Sequence, residues 1–306
     1  MLQALVTVVD PDRITAVVNT GDDSIIHGLH ISPDLDTVTY TLAGAINPET
    51  GWGLTGETWA AMGEVRELSQ GRLGWFNLGD HDLGTHLFRT SRLGEGATLS
   101  EVTAEITARW HLGVRLLPMS DDRVETRITA MVPLAEDCEG ETQERDLAFQ
   151  EYFVKHHHDV EVRGVRFHGV DTATAAPGVL DALRDAERVV MCPSNPVVSI
   201  GPVLATGGIG DAVARRRDDV VAVSPIVGGR ALKGPADRML RDLGYDSTVG
   251  AVARLWAPYA ATLVIDPADS DQQDEVEAAG MRCVITPTVM SEPGVAATLA
   301  QTVLDA

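Results

Sequence analysis

The chain has 306 residues and carries 45 acidic against 24 basic side chains, a formal net charge of −21. Such a surface repels nucleic acid and anionic membrane, which excludes both as electrostatic partners. Hydrophobic residues make up 44% and mean hydropathy is +0.01, the composition of an ordinary globular protein long enough to bury a large core. Cys138, Cys192 and Cys283 lie far apart and form no CxxC pair, which argues against a disulfide framework or a structural zinc site and for a reducing, cytoplasmic setting. No run of 18 apolar residues and no basic-then-apolar leader is present, in keeping with that setting.

Residues 1–9 read as the tail of a helix with no N-cap before it. A doubly wound fold would place a first strand and a glycine loop ahead of that helix. Both are missing here, so the sequence is expected to be a shortened one, poorly soluble or inactive as it stands. Residues 14–18 form a short apolar run that predicts a buried strand, broken at Asn19-Thr20-Gly21. Four aspartates follow within fifteen positions: Asp22, Asp23, Asp34 and Asp36. The first two sit where a strand hands over to a loop, the place where open α/β sheets bind ligands. Two carboxylates about 4 Å apart repel by roughly 4 kcal/mol at an effective dielectric of about 20, so converging GDD and PDLD segments call for a cation. Magnesium suits them, since it takes one or two carboxylates and completes its shell with water and phosphate. Aspartates also cap helices and shape turns, and spacing alone leaves both roles open.

Residues 48–56 are turn-rich, and from 57 to 110 the pattern is helical. Thr98 and Glu101 match a capping box, with Leu99, Val102, Ile106 and Trp110 on one face; Trp59, Met62 and Val65 form an earlier apolar stripe. Between them, residues 78–89 concentrate Asp80, His81, Asp82, Thr85, His86 and Arg89. Helical spacing puts several of these on one face, as an N-capped surface helix or as a substrate contact. Strands are predicted at 115–118, 125–132, 149–154 and 162–170, with an acidic mobile loop at 135–146. His156, His157 and His158 read as a solvated turn, because consecutive residues of an extended chain point opposite ways.

From 177 onward helix and strand alternate. Strands at 188–192, 220–223, 262–265 and 282–285 are separated by helices at 177–187, 208–217, 234–243, 248–256 and 271–279, with a last helix at 291–304. Short apolar strands alternating with helices mean a parallel sheet covered on both faces. The predicted fold is α/β, a Rossmann-like, mostly parallel sheet with helices on both faces, spanning 1–48 and 115–306. A small helical insert, 49–114, lies on the substrate side. The loop at 193–202 leaves a buried strand with Ser194, Asn195, Pro196, Ser199 and Gly201. Small hydroxyls and backbone N–H groups at such a turn make an anion pocket. A third loop, 224–229, opens on the same edge, with Arg230 or Lys233 as a source of positive charge. No GxSxG and no cysteine paired with histidine is present.

The segments VNTGDD, SPDLDTVTYTLAG, GWG with ETW, LGDHDLGTHL, LLPMSDD, FQEYFV, PSNPVVSIGP and SPIVGG follow one another in an order that resembles the 2-phospho-L-lactate transferases, called phosphoenolpyruvate transferases in bacterial members, of coenzyme F-420 biosynthesis. The resemblance spans essentially the whole chain. It implies a donor in which a lactyl or enolpyruvyl acid is linked to guanosine diphosphate, the deazaflavin Fo as acceptor, release of GMP, and Mg2+ neutralising the diphosphate. Residue by residue it implies Asp22 and Asp34 as metal ligands and catalytic groups. Asp34, Asp36, His81, Thr85 and His86 would lie near the deazaflavin, and Ser194, Asn195, Pro196, Ser199 and Gly201 near the nucleotide. It also implies a homodimer. Two departures stand out. The family opens with a strand and a GGxGG-type loop that this chain does not show, and His81 stands where relatives often have the arginine of GDRD. A related family of non-catalytic nucleotide-sugar-binding regulators shares the fold, but lacks PDLDT followed by a helical insert with GD-x-D-xx-TH.

Overall fold

The computed structural model describes residues 1–134 and 141–306. Helix α1 (Leu2–Leu5) leads through a 3-10 turn into strand β1 (Thr15–Val18). A hairpin follows, β2 (Ser24–Ile26) and β3 (Leu29–Ile31), whose two-residue turn puts His27 and Gly28 at φ 54° and 80°. Positive φ at both central positions matches the twist of the flanking strands. Helix α2 (Pro33–Leu42) starts with proline at its first position, where the missing N–H costs nothing. The insert holds α3 (Ala60–Leu68), α4 (Asp80–Gly94) and α5 (Leu99–Arg109). The capping box forms as predicted: Thr98 Oγ1 accepts from Glu101 N, and Glu101 Oε2 accepts from Thr98 N at 2.9 Å. Val102 and Ile106 are buried on the inner face, whereas Trp59 stays 37% exposed ahead of its helix.

Strand β4 (Arg115–Pro118) returns to pair in parallel with β1, Thr15 opposite Arg115. Then come β5 (Glu125–Pro133), β6 (Thr142–Ala148) and β7 (Glu161–His168), a separate antiparallel sheet in the order β6-β5-β7. Two expectations fail here. The acidic loop predicted over 135–146 lies outside the described residues as far as 140, Cys138 included, and from Thr142 it is an edge strand. That strand is exposed along most of its length, so backbone pairing and the Arg127–Asp146 contact at 2.7 Å hold it, not burial. The strand predicted at 149–154 is instead a π-helical turn, Glu151–Lys155, and Phe149 just ahead of it stacks on Phe153 within it at 5.6 Å.

The second half alternates as predicted: α6 (Val179–Asp185), β8 (Val189–Met191), a π-turn at Pro196–Ile200 running into α7 (Gly201–Ala205), α8 (Ile209–Ala214) and β9 (Val220–Val223). A short hairpin, β10 (Ile226–Val227) and β11 (Arg230–Ala231), precedes α9 (Ala236–Asp242), α10 (Val249–Trp256), β12 (Thr262–Ile265), α11 (Gln273–Ala278), β13 (Arg282–Ile285) and α12 (Val295–Asp305). The main sheet is parallel, ordered β13-β12-β9-β8. Its central strands are buried on both faces, in strict alternation. Val221, Val223 and Val264 pack under α1 and α12 with Leu299 and Val303; Val220, Ala222, Leu263 and Ile265 face Leu240, Val252 and Trp256. Parallel pairing sends every strand's carboxyl end to one edge. Among the described residues, no helix is long and apolar enough to cross a membrane.

Leu263, fully buried in β12, tests this core. Leu263→Ala should lower the unfolding free energy by about 2–5 kcal/mol, the usual cost of such a cavity, read from the denaturant midpoint in equilibrium unfolding.

Candidate active site

At the end of β1 the chain turns on Gly21. Its N–H donates to Asn19 Oδ1 at 2.9 Å and its carbonyl accepts from Thr126 N at 2.7 Å. A Cβ there would stand 2.7 Å from Thr126 Oγ1 and 3.0 Å from Asn19 Oδ1, so no larger residue fits the turn. The turn delivers Asp22, 6% exposed, to the carboxyl edge. The first turn of α2 delivers Asp34 to the same place, where its Oδ2 accepts from Asn19 Nδ2 at 3.0 Å. Asp22 Oδ1 is buried with no hydrogen-bond partner among the described residues, as is Asp23 Oδ1. Burial, then the charges of Asp34 and Asp23, push the Asp22 carboxyl well above the ordinary range; burial raises Asp34 as well. A pair of desolvated carboxylates with an orphaned oxygen is short of a cation. Its all-oxygen donors suit a hard divalent ion.

Two residues further along α2, Asp36 points the other way and meets a cation of the protein's own. Arg89, 1% exposed on α4, forks onto it, with Nη1 3.1 Å from Oδ2 and Nη2 on Oδ1. His86 Nδ1 lies 3.7 Å from Asp36 Oδ2, and its Nε2 lies 3.2 Å from Asp82 Oδ2, a close contact rather than an aligned hydrogen bond. The Tyr40 hydroxyl donates to Asp82 Oδ1 at 2.6 Å and lies 2.9 Å from Thr85 Oγ1. Burial works against the charge of both Arg89 and Asp82. It is outweighed at Arg89 by Asp36, which keeps the guanidinium's pKa raised, and at Asp82 chiefly by His86, which keeps the carboxyl's lowered. Ligand atoms of Asp36, Asp82 and His86 fall within 4.8 Å of one another, a spacing open to a metal. Arg89 already supplies the positive charge there, so the cation deficit stays at Asp22 and Asp34.

These groups open on a cleft of about 990 Å³. Asp22, Asp34, Asp36 and His86 line it from one side, and Ser194, Asn195 and Ser199 from the end of β8. Four of the sequence-predicted residues lie elsewhere. His81 is exposed in the first turn of α4, where its backbone N–H donates to Glu57 Oε2 at 2.7 Å. Thr85 is buried behind Tyr40. Pro196 is buried beneath the loop, and Gly201 faces Phe167, whose Cζ would stand 3.2 Å from a Cβ. The expected anion pocket of backbone N–H groups also changes character. Asn195 Oδ1 takes the N–H groups of Val197 and Val198 at 2.9 and 3.4 Å, so the asparagine shapes the loop, while Ser194 and Ser199 line the cleft.

Sequence reasoning named Asp82 and Arg89 only within the polar segment 78–89, without separate roles, and gave none to Tyr40 or to the aromatic wall of Trp52, Trp75, Phe76, Phe149 and Phe153. The spacing 82, 85, 86, 89 is one helix face, as the sequence suggested, and that face is turned inward.

The 2-phospho-L-lactate transferase CofD family model matches residues 1–298; the chain belongs to that family. It is 44% identical over 305 residues to a phosphoenolpyruvate transferase of Kitasatospora aureofaciens, covering 99% of this chain and 92% of that one. It is 46% identical over 300 residues to one of Streptomyces griseus, covering 96% and 91%. In fold it resembles protein BH3568 from Bacillus halodurans, with a TM-score of 0.60 at 15% identity over 99% of this chain and 96% of that one. Membership makes the chain an enzyme, a transferase of the phospholactyl or phosphoenolpyruvyl kind in coenzyme F-420 biosynthesis, and sets aside the non-catalytic regulator.

The raised carboxyls carry a sign that stability can read. Asp22 favours the folded state fully below its unfolded pKa, near 3.9, and that contribution is lost as pH rises through the raised folded value. Metal-free Asp22→Asn should therefore be the more stable protein at pH 7, by about 2–4 °C in Tm for each kcal/mol relieved. The difference from wild type should shrink as pH falls toward 4, in thermal melts run with chelator.

Proposed function

We propose that this cleft moves a phospholactyl or phosphoenolpyruvyl group from a guanosine-diphosphate-linked donor to the terminal hydroxyl of the deazaflavin Fo, with Mg2+ as the required ion. The observation that carries this reading is the desolvated, uncompensated Asp22–Asp34 pair at the carboxyl edge of β1, set between an aromatic wall and a hydroxyl-bearing loop. Flat aromatic side chains on the insert side suit a planar tricyclic acceptor by offset stacking. Ser194 and Ser199 suit the nucleotide on the sheet side.

In this reaction the acceptor hydroxyl oxygen forms a bond to the phosphorus that bears the three-carbon acid. The bond from that phosphorus to the bridging oxygen breaks, GMP leaves with the electron pair, and the hydroxyl proton is released. Such transfers rest on positioning and charge neutralisation more than on covalent chemistry. Asp22 and Asp34 would hold the magnesium, which when bound neutralises charge on the diphosphate. Asp36, fixed in its rotamer by the Arg89 fork, presents a constant hydrogen-bond acceptor to the ribityl chain. Gln150 braces the site from behind, its Nε2 donating to the Asp22 carbonyl at 3.1 Å. Phe149 and Phe153, stacked at 5.6 Å beside Gln150, add apolar surface to the cleft wall.

Asp34→Ala should leave the fold intact and lower turnover by about 10²–10³-fold, the scale of losing one charge-stabilising group. The assay is magnesium-dependent release of GMP with Fo and the lactyl or enolpyruvyl donor, beside a thermal melt of the variant. Normal turnover by a well-folded Asp34→Ala protein would refute the metal-holding role.

A further inference from the structure

The charge of the cleft is one-sided, and a single side chain stands against it. Four carboxylates line it, Asp22, Asp34, Asp36 and Asp82, while among the described residues Lys233 is the only lysine or arginine that does. The chain has just two lysines, Lys155 and Lys233. Lys155 Nζ is engaged by Glu151 Oε1 at 3.0 Å, whereas Lys233 has no carboxylate partner among the described residues. The neighbouring arginines are already committed: Arg238 to Asp159 at 2.5 Å and Arg241 to Asp237 at 3.0 Å. Arg230, in the same loop, does not line the cleft.

The loop that carries Lys233 is fixed at its base and open at its tip. Buried Asp269 accepts from Gly228 N at 2.9 and 3.1 Å, and Ser247 Oγ donates to the Gly229 carbonyl at 2.8 Å. Beyond that base Leu232, Lys233 and Gly234 are exposed, and the chain re-enters the core at Pro235. Lys233, Gly234 and Pro235 line the cleft, as do Ser194 and Asn195. Asn195 Nδ2 lies 3.7 Å from Met239 Sδ in α9, the helix that Pro235 caps, which sets this segment beside the loop assigned above to the nucleotide. Arg89 already offsets Asp36, and His86 and Tyr40 hold Asp82. A donor with two phosphates and a carboxylate therefore meets uncompensated repulsion at Asp22 and Asp34, which magnesium would answer at the reacting end. At the nucleotide end only a lysine ammonium, a compact point charge on a flexible stem, is at hand.

Resting on the proposed reaction, we infer that Lys233 is the binding residue for the phosphate that stays with GMP, and so the charge that discriminates a guanine nucleotide from its nucleoside. It is a binding group, distinct from the metal-holding aspartates and from the acceptor wall.

The test uses the full chain and GDP with magnesium as the probe. Calorimetry on wild type, K233M and K233R should show GDP bound about 10- to 100-fold more weakly by K233M, the loss of one charged hydrogen bond. Most of the affinity should return in K233R. Guanosine, which has no phosphate, should bind K233M and wild type alike, and the exposed position should leave Tm unchanged. Acylation of the wild type, read by peptide mass spectrometry, should modify both lysines without ligand and spare Lys233 when GDP is present, with Lys155 as internal control. If wild type binds GDP and K233M binds it equally, or if GDP leaves Lys233 as reactive as before, this inference falls and the proposed reaction stands. If wild type does not bind GDP at all, the nucleotide site itself is wrong and the inference falls with it.

Discussion

One helical turn divides the buried charge of this protein. Asp34 and Asp36 are two residues apart in the first turn of α2, so their side chains leave the helix in different directions. Asp36 turns inward onto Arg89, which neutralises it and is itself held in the interior by that contact. Asp34 turns toward Asp22 and finds no cation. Breaking a buried ion pair by removing one partner typically costs about 3–5 kcal/mol, so the inner pair fixes α2 against α4 and thereby fixes where the outer pair stands. The cleft then offers unspent negative charge at a single place.

The fold supplies that division from distant parts of the chain. β1, paired with β4 in a two-stranded sheet of its own, and the Gly21 turn bring Asp22 to the cleft, and the insert contributes Arg89 from α4. β8, β9 and β13 end in Ser194, Ser224 and Thr288 along the same cleft. The antiparallel β5-β6-β7 sheet contributes Thr126 beneath Gly21, and the turn after it places Gln150, Phe149 and Phe153. The parallel core sets the edge, and the insert and the second sheet build the walls. A surface of net charge −21 discourages anionic ligands everywhere else, so in the proposed reaction local cations, a bound ion and Lys233, would decide whether a nucleotide enters.

The regular half of the chain was legible because its strands are short apolar runs punctuated by proline and glycine, as at Val220–Val223 and Thr262–Ile265. The acidic stretch was legible as a site because four aspartates rarely gather without a function in charge or turn geometry. Its local structure was not: in α2 only Leu35, Val38 and Leu42 share an apolar face, and polar residues between them mask the helical spacing. Strand β6 was missed because TQERDLA is polar, and an edge strand needs hydrogen-bond partners more than apolar side chains. The aromatic run FQEYFV has strand propensity, yet stacking of Phe149 on Phe153 fits a helical turn. His81 was placed in the site by its neighbours in the segment, whereas a helix turns by 100° per residue and carries it to the outside while His86 faces in.

The central claim is that Asp22 and Asp34 together hold one divalent cation. The most direct measurement is titration of Mn2+, as a spectroscopic substitute for Mg2+, in the presence of GDP, by electron paramagnetic resonance on wild type, Asp22→Asn and Asp34→Asn, with the exposed Asp181→Asn as control. The account predicts one bound ion per wild-type chain, affinity lowered by about tenfold or more in each of the two cleft variants, and no change in the control. Unchanged affinity in both Asp22→Asn and Asp34→Asn would contradict it.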